Sequence, residues 1–294
     1  MTLQTTLPPR PIAIVLGSGD IGSAVALALH EAGYAVVLAD EADPSWHRRG
    51  MAFTDAWYVG TAELLGVTAC FCASQKSIPS VLARRMIAAT TWSWPGVASE
   101  LTPVVLVDAR GRKRRGAEIL LGRIPLTIGI GPGFVEGGNV DVVLGSAADT
   151  RTPRAEDEAP LQPDLRARGG PACGTDCTVE AVRQGRFMTE RRIGEEVRPG
   201  QIVGGFGNEA VAAPAGGVLL GLAARGARIE PGDTLVEVDP DGVAHRCFGV
   251  REGLRRLAAT VMSALTDRQR LARGAQFRTD AGGPRKTVCD AALR

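Results

Sequence analysis

The stretch that decides the fold is IAIVLGSGDIGSAVALALHEAGYAVVLAD, residues 12–40. Ile12 to Leu16 is a short apolar run of the kind buried on both faces of a parallel sheet. Asp20 can cap a following helix, in which Ile21, Ala24, Val25, Ala28, Leu29 and Ala32 recur at helical spacing. Gly33 suits the position just past its end, and Ala35 to Ala39 forms a second apolar strand. Strand, helix and strand in this order imply a right-handed crossover and a parallel sheet. Between the first strand and the helix lies GSGDIG, residues 17–22. Here Gly17 permits a tight turn, Gly19 lets backbone approach a pyrophosphate, and Gly22 allows the helix to pack closely on the strand. The helix start offers unpaired N–H groups to an anion, and Asp40 at the next strand's tip suits a ribose hydroxyl. The first part of the chain therefore reads as a Rossmann-like α/β domain.

Working outward, further strands fit Val67 to Ala73, Val104 to Val107, Leu126 to Ile130 and Val140 to Leu144, and a helix fits Ser80 to Ala89. This extends the α/β domain over residues 10–148. A second glycine loop, GIGPGF (129–134), follows an apolar strand, so Gly129, Gly131 and Gly133 can share one sheet edge with the first turn. The run DARGRKRR (108–115) ends another strand at that edge and offers Arg110, Lys113 and Arg114 as phosphate partners, or as a solvated loop.

Composition then shifts. Residues 149–175 are rich in Pro, Gly and charge and read as a linker or insert. Beyond them GEEVRPGQIV (194–203) and GARIEPGDTL (226–235) share one frame, offset by 32 residues. Two such units related by a pseudo-twofold would close a small β barrel over residues 176–250, which looks like the biotinyl/lipoyl barrel-sandwich fold. That segment contains no lysine, so it cannot carry biotin or lipoate. A docking or packing module is the better reading. Leu254, Leu257, Ala258, Val261, Met262 and Leu265 form one stripe of a C-terminal helix over 251–273, and 274–294 reads as a disordered tail.

Length and composition set outer bounds. A chain of 294 residues with 45% hydrophobic and 22% charged residues is an ordinary globular protein of two domains. A net charge of +2 gives no strong pull toward nucleic acid or membrane. No run approaches the length of a membrane span and the N-terminus lacks a signal-type apolar core, so the expectation is a cytoplasmic protein with free thiols. His30, His47 and His245 are scattered, Cys173 and Cys177 lack a second pair to complete a metal site, and no nucleophile elbow is present. No catalytic residue or metal site is assigned.

IAIVLGSGDIGSAVALALHEAGYAVVLAD, RRGMAFTDAWYVG, VLVDARGRKRR, IPLTIGIGPGF and APAGGVLLGLAARGARIEPGDTLVEVDPDG occur in this order. Together they resemble the accessory proteins of selenium-dependent molybdenum hydroxylases of the xanthine dehydrogenase type, over most of residues 12–265. The resemblance implies a maturation factor that handles or inserts molybdenum cofactor, with a molybdenum hydroxylase as client. It places Gly17, Gly19, Asp20, Gly129, Gly131 and Gly133 in shared loops and supplies no catalytic residue. The ligand would be a small anion, a nucleotide or the nucleotide-bearing form of molybdopterin, with NAD as another candidate. Two alternatives stand beside it: an NAD-dependent oxidoreductase, and a non-catalytic protein-docking module with a vestigial nucleotide fold. Whether a reaction is catalysed and whether the chain forms a homo-oligomer are left open.

Overall fold

The computed structural model describes residues 10–111, 117–145 and 177–280, with side chains to residue 268. Strand β1 (Ile12–Leu16), helix α1 (Asp20–Glu31) and β2 (Ala35–Ala39) form the expected unit. They are followed by α2 (Ala56–Val59), β3 (Thr61–Leu64), β4 (Val67–Phe71), α3 (Ile78–Ala83), β5 (Ile87–Thr90), α4 (Trp94–Leu101), β6 (Val105–Asp108), β7 (Thr127–Ile130) and β8 (Val142–Leu144). These strands make one sheet in the order β3-β4-β5-β2-β1-β6-β7-β8, parallel apart from the β3–β4 hairpin at one edge. Leu65 and Gly66, both at positive φ, close that hairpin as a two-residue turn requires.

Alternation along the strands divides the core. Ile14, Leu16, Val37 and Ala39 face α3 and α4, while Ala13, Val15, Val36 and Leu38 face α1. The helix expected over Ser80–Ala89 ends at Ala83 instead. Arg85 turns the chain at φ 59°, and Ile87–Thr90 enters the sheet, fully buried between β4 and β2. A short apolar run carries no periodicity that separates a buried strand from a helix.

The later residues build two antiparallel sheets. They comprise β9 (Thr178–Glu180), β10 (Gly185–Met188), β11 (Glu196–Val197), β12 (Ile202–Phe206), β13 (Glu209–Ala212), β14 (Gly217–Leu222), β15 (Arg228–Ile229) and β16 (Thr234–Asp239). The sheet orders are β13-β12-β10-β15 and β11-β14-β16-β9, and both contribute to one core of Phe187, Val203, Phe206, Leu219, Leu222, Ile229 and Val236. The sequence offset that carries Gly194 to Gly226 also carries β10, β11 and β12 onto β14, β15 and β16. With β13 matched to β9, the first sheet order becomes the second read from its other end. The repeat in sequence is thus an approximate twofold in the strand order.

Helix α5 (Glu252–Asp280) continues past the expected end at residue 273. Its stripe of Leu254, Leu257, Val261 and Leu265 returns to the parallel sheet and packs on α1. Burying each such leucine contributes on the order of 2 kcal/mol. The chain therefore leaves the first core, builds the sandwich, and comes back. The stretch 149–175 and residues 281–294 of the expected tail lie outside the described residues. Cys70, Cys72 and Cys247 are free thiols as expected, but Cys177 is disulfide-bonded. Among the described residues no helix is long and apolar enough to cross a membrane.

Candidate functional site

The register puts the two glycine loops on one edge. Leu16 of β1 stands opposite Asp108 of β6, and Asp108 stands opposite Gly129 of β7. The Gly17 turn and the Gly131 loop therefore leave the carboxyl ends of strands about 10 Å apart, with the β6 exit between them. The chain moves from β1 to one side through β2 and later to the other through β6, so the crevice between them is the topological switch point.

The turn itself is wedged. Gly17 has φ +101°, and a Cβ there would meet the Ala109 carbonyl and Arg110 Cα at 3.2 Å. A Cβ on Gly22 would lie 1.9 Å from the Gly17 carbonyl oxygen, so this glycine performs the close helix–strand contact expected of it. From below, the Ser23 and Thr54 hydroxyls donate to the Ser18 carbonyl at 2.9 and 2.7 Å, and Phe53 N–H donates to Ser23 Oγ at 2.8 Å.

The Trp46 indole covers the other side of the turn. A Cβ on Gly19 would lie 2.7 Å from the Trp46 indole. Trp46 Nε1 donates to Asp40 Oδ2 at 2.7 Å, which also accepts the Ser18 N–H at 2.6 Å, while Asp40 Oδ1 accepts from Glu41 N–H. Asp40 is thus at the turn, as the sequence predicts, but its carboxylate holds backbone and indole rather than standing free for a ribose. The Ser18 hydroxyl is buried beside them without a hydrogen-bond partner. With Trp46 in this position a pyrophosphate does not fit against Gly19.

Asp20 also differs from expectation. The helix N-cap is Gly19, and Asp20 Oδ1 accepts from Ile21 N–H while Oδ2 lies 3.6 Å from Arg48 Nη1. Arg48 in turn forks onto Glu237 of β16 through two hydrogen bonds of 2.7 Å, and His47 Nε2 lies 2.9 Å from the same carboxylate. Burial would push the Glu237 carboxyl up, but hydrogen bonds and charge from Arg48 and His47 outweigh it and hold the group well below the usual carboxylate range. Burial and then the charge of Arg48 pull the neighbouring Arg251 guanidinium down.

The second loop is closed from within. Phe134 folds back so that a Cβ on Gly129 would lie 2.2 Å from its ring, whereas Gly131, at φ +100°, and Gly133 have space around them. Arg110, offered as a phosphate partner, instead forks onto buried Asp108 and reaches Glu118 at 3.3 Å. Glu118 also accepts from Trp94 Nε1 at 3.0 Å. A buried carboxylate beside a guanidinium claims it as an ion pair, which the spacing of a basic run cannot foretell. Lys113 and Arg114 lie outside the described residues. Among the described residues no cluster of three or more His, Cys, Asp or Glu side chains could hold a metal ion.

Trp46 is absent from the residues singled out by sequence, and Arg48 and Glu237 lie within the segments that carry the resemblance but are not named there as site residues. The available signal was the position of Trp46 just after the Asp40 strand, next to the RRGMAFTDAWYVG segment whose Phe53 and Thr54 brace the turn. Comparison with known proteins adds little to this geometry. No family model matches the chain. It is 25% identical over 256 residues to an uncharacterized protein of Escherichia coli (strain K12), YqeB, an alignment covering 86% of this chain and 47% of that protein. The chain thus spans about half the length of that curated relative. Two solved structures overlap it weakly: succinylglutamatedesuccinylase/aspartoacylase from Rhodobacter sphaeroides (12% identity, 78% of this chain, 85% of that one, TM-score 0.24) and a product-bound ectoine utilization protein EutE (DoeB) from Ruegeria pomeroyi (14%, 78%, 85%, TM-score 0.23). Superpositions this poor say nothing about fold or activity.

Proposed function

We propose that this chain is an accessory protein in the maturation of a molybdenum hydroxylase, binding a nucleotide or pyrophosphate-bearing cofactor without breaking bonds in it. The observation that supports this most directly is the pairing of two glycine loops at the switch point. One, at Gly131, is open, and the other is covered by the Trp46 indole, which a ligand would have to displace. Once Trp46 is away, Gly19 and the start of α1 would offer backbone N–H groups to phosphate, and Asp40 would exchange the indole for a ribose hydroxyl. The side chains that could otherwise do acid–base work here, Asp108 and Arg110, are occupied with each other.

The antiparallel sandwich is read as a barrel-sandwich of the biotinyl/lipoyl kind. Its twofold strand order supports that reading; the absence of lysine from residues 176–250 rules out a biotin or lipoate carrier, and the module is read as a docking surface. The client and any association with selenium rest on the sequence resemblance. The test is mass spectrometry of small molecules released from the purified chain, joined to a deletion strain. A pterin or nucleotide in the first, and a client hydroxylase that loses metal or activity in the second, are the expected outcomes. A fully metallated, active hydroxylase in the deletion strain would sink the proposal.

One observation favours a second reading, a protein-docking module with a vestigial nucleotide fold: Trp46 fills the turn with the protein's own side chain. Calorimetric titration with NAD, ADP and CTP separates the two. Silence with all three, in the native chain and in Trp46→Ala, favours the vestigial fold.

A further inference from the structure

The five residues from Trp46 to Gly50 touch both halves of the molecule in succession. Trp46 lies on Gly19 and donates to Asp40. The His47 carbonyl accepts from Leu222 N–H of β14 at 2.7 Å, and its ring meets Glu237 of β16. Arg48 forks onto Glu237. Arg49 Nε donates to the Leu222 carbonyl at 2.8 Å, and the Gly50 carbonyl accepts from Gly249 N–H at 3.2 Å. Tyr58, packed against the sandwich core, donates to the Pro44 carbonyl at 2.7 Å and so holds the near side of the same segment.

Space is short where these residues pass. A Cβ on Gly221 would strike the His47 ring at 2.4 Å, and one on Gly50 would strike the Cys247 carbonyl at 2.5 Å. The cover of the glycine turn and the clamp on the sandwich are therefore one continuous piece of chain, pinned from the residue immediately after the indole. Successive Cα atoms are held about 3.8 Å apart, so a shift of the Trp46 backbone reaches the clamp directly.

We propose that residues 46–50 couple the two parts. Trp46 leaves the turn when His47, Arg48 and Arg49 release β14 and β16, so filling the turn with a pyrophosphate-bearing ligand loosens the sandwich. This rests on the reading of the turn as a ligand site. Linkage is reciprocal: whatever holds the sandwich away must also raise the affinity of the turn by the same factor. A maturation factor built in this way would present its sandwich differently when loaded and when empty.

The test uses the full chain. Acrylamide quenching of Trp46 is read as the difference between the chain and its Trp46→Phe form, since Trp57, Trp92 and Trp94 also emit. Glu237→Gln and, as a second release of the clamp, Arg48→Gln are each expected to raise that quenching at least twofold while circular dichroism stays native. Conversely, Trp46→Ala is expected to raise hydrogen exchange in β14 and β16 several-fold. Unchanged Trp46 quenching in both folded clamp variants overturns the coupling, because the indole would then move by side-chain rotation alone. Titration with ADP, CTP and NAD is a separate arm. A probe that binds should bind several-fold tighter to Glu237→Gln, and equal affinity would also overturn the coupling. No binding of any probe strikes the ligand reading alone, leaving the quenching result to decide the coupling.

Discussion

Gly19 and Gly129 are both denied the space for a Cβ, yet by different kinds of neighbour. Gly129 is covered by Phe134 from its own loop, a contact that forms and breaks locally. Gly19 is covered by Trp46, whose following residues grip a different sheet. A glycine near the carboxyl end of a buried strand, within β7 in one case and in the turn after β1 in the other, therefore belongs to a self-contained loop in the first and to a junction between two cores in the second. What differs is the sequence distance of the covering residue, and with it the amount of structure that must respond when the cover lifts.

The largest effect expected is at the floor of the first turn. Gly22→Val would drive a side chain into the Gly17 carbonyl, where even a Cβ sits at 1.9 Å. The opposing atom is backbone and cannot rotate away, so the loss should be about 4 kcal/mol or more, among the severest single substitutions. Denaturant unfolding of the purified variant checks it. A variant as stable as the native chain would mean that the wedge between α1 and β1 is not what shapes this turn.

Next comes the clamp. Glu237→Ala removes the carboxylate that half-buried Arg48 and His47 share, leaving Arg48 with Asp20 at 3.6 Å, and should cost about 3 kcal/mol. Its pH dependence has a defined sign. Because the folded carboxyl is held below its ordinary value, the stability it provides is complete above roughly pH 4.3 and drains away as the pH falls below that toward the folded value. The stability gap between the native chain and Glu237→Gln should accordingly shrink as the pH falls below about 4.3. A gap that grew in acid would reverse the assignment of the pair.

Phe134→Ala sharpens the contrast from the other side. Its ring is half-buried, so the loss should be about 1–2 kcal/mol, with hydrogen exchange in β14 and β16 unaltered. Were the sandwich to loosen in Phe134→Ala as much as in Trp46→Ala, the distinction between a local and a long-range cover would fail.

These two covers also mark where the sequence was readable. The β1–turn–α1–β2 unit, the shared edge of the glycine loops and the 32-residue repeat are legible because each is a pattern among residues close in the chain or equal in spacing. β5 was hidden because Ile87 to Thr90 is too short and uniformly apolar to show a period. The ion pair of Arg110 was not legible because its partner, Asp108, is identified by burial, which a neighbouring charge in sequence does not reveal. Trp46 on Gly19 and Arg48 on Glu237 are products of chain folding over long separations, and only a three-dimensional arrangement brings them together.

The smallest expected effect is chemical rather than energetic. Cys247 lies in the seam between the 46–50 segment and the sandwich, packed with Met51, Val218 and Leu220. Burial, then the charge of Asp239, pushes its thiol up to about 11, so at pH 8 roughly one thiol in a thousand is ionised. Iodoacetamide should therefore label it far more slowly than an open thiol in the native chain, as read by peptide mass spectrometry. Opening the seam should change this even where stability changes little. Labelling of Cys247 should accelerate in Glu237→Gln and Trp46→Ala and stay at the native rate in Phe134→Ala. Equal acceleration in all three would show that the seam breathes with the whole molecule rather than with the segment that covers Gly19.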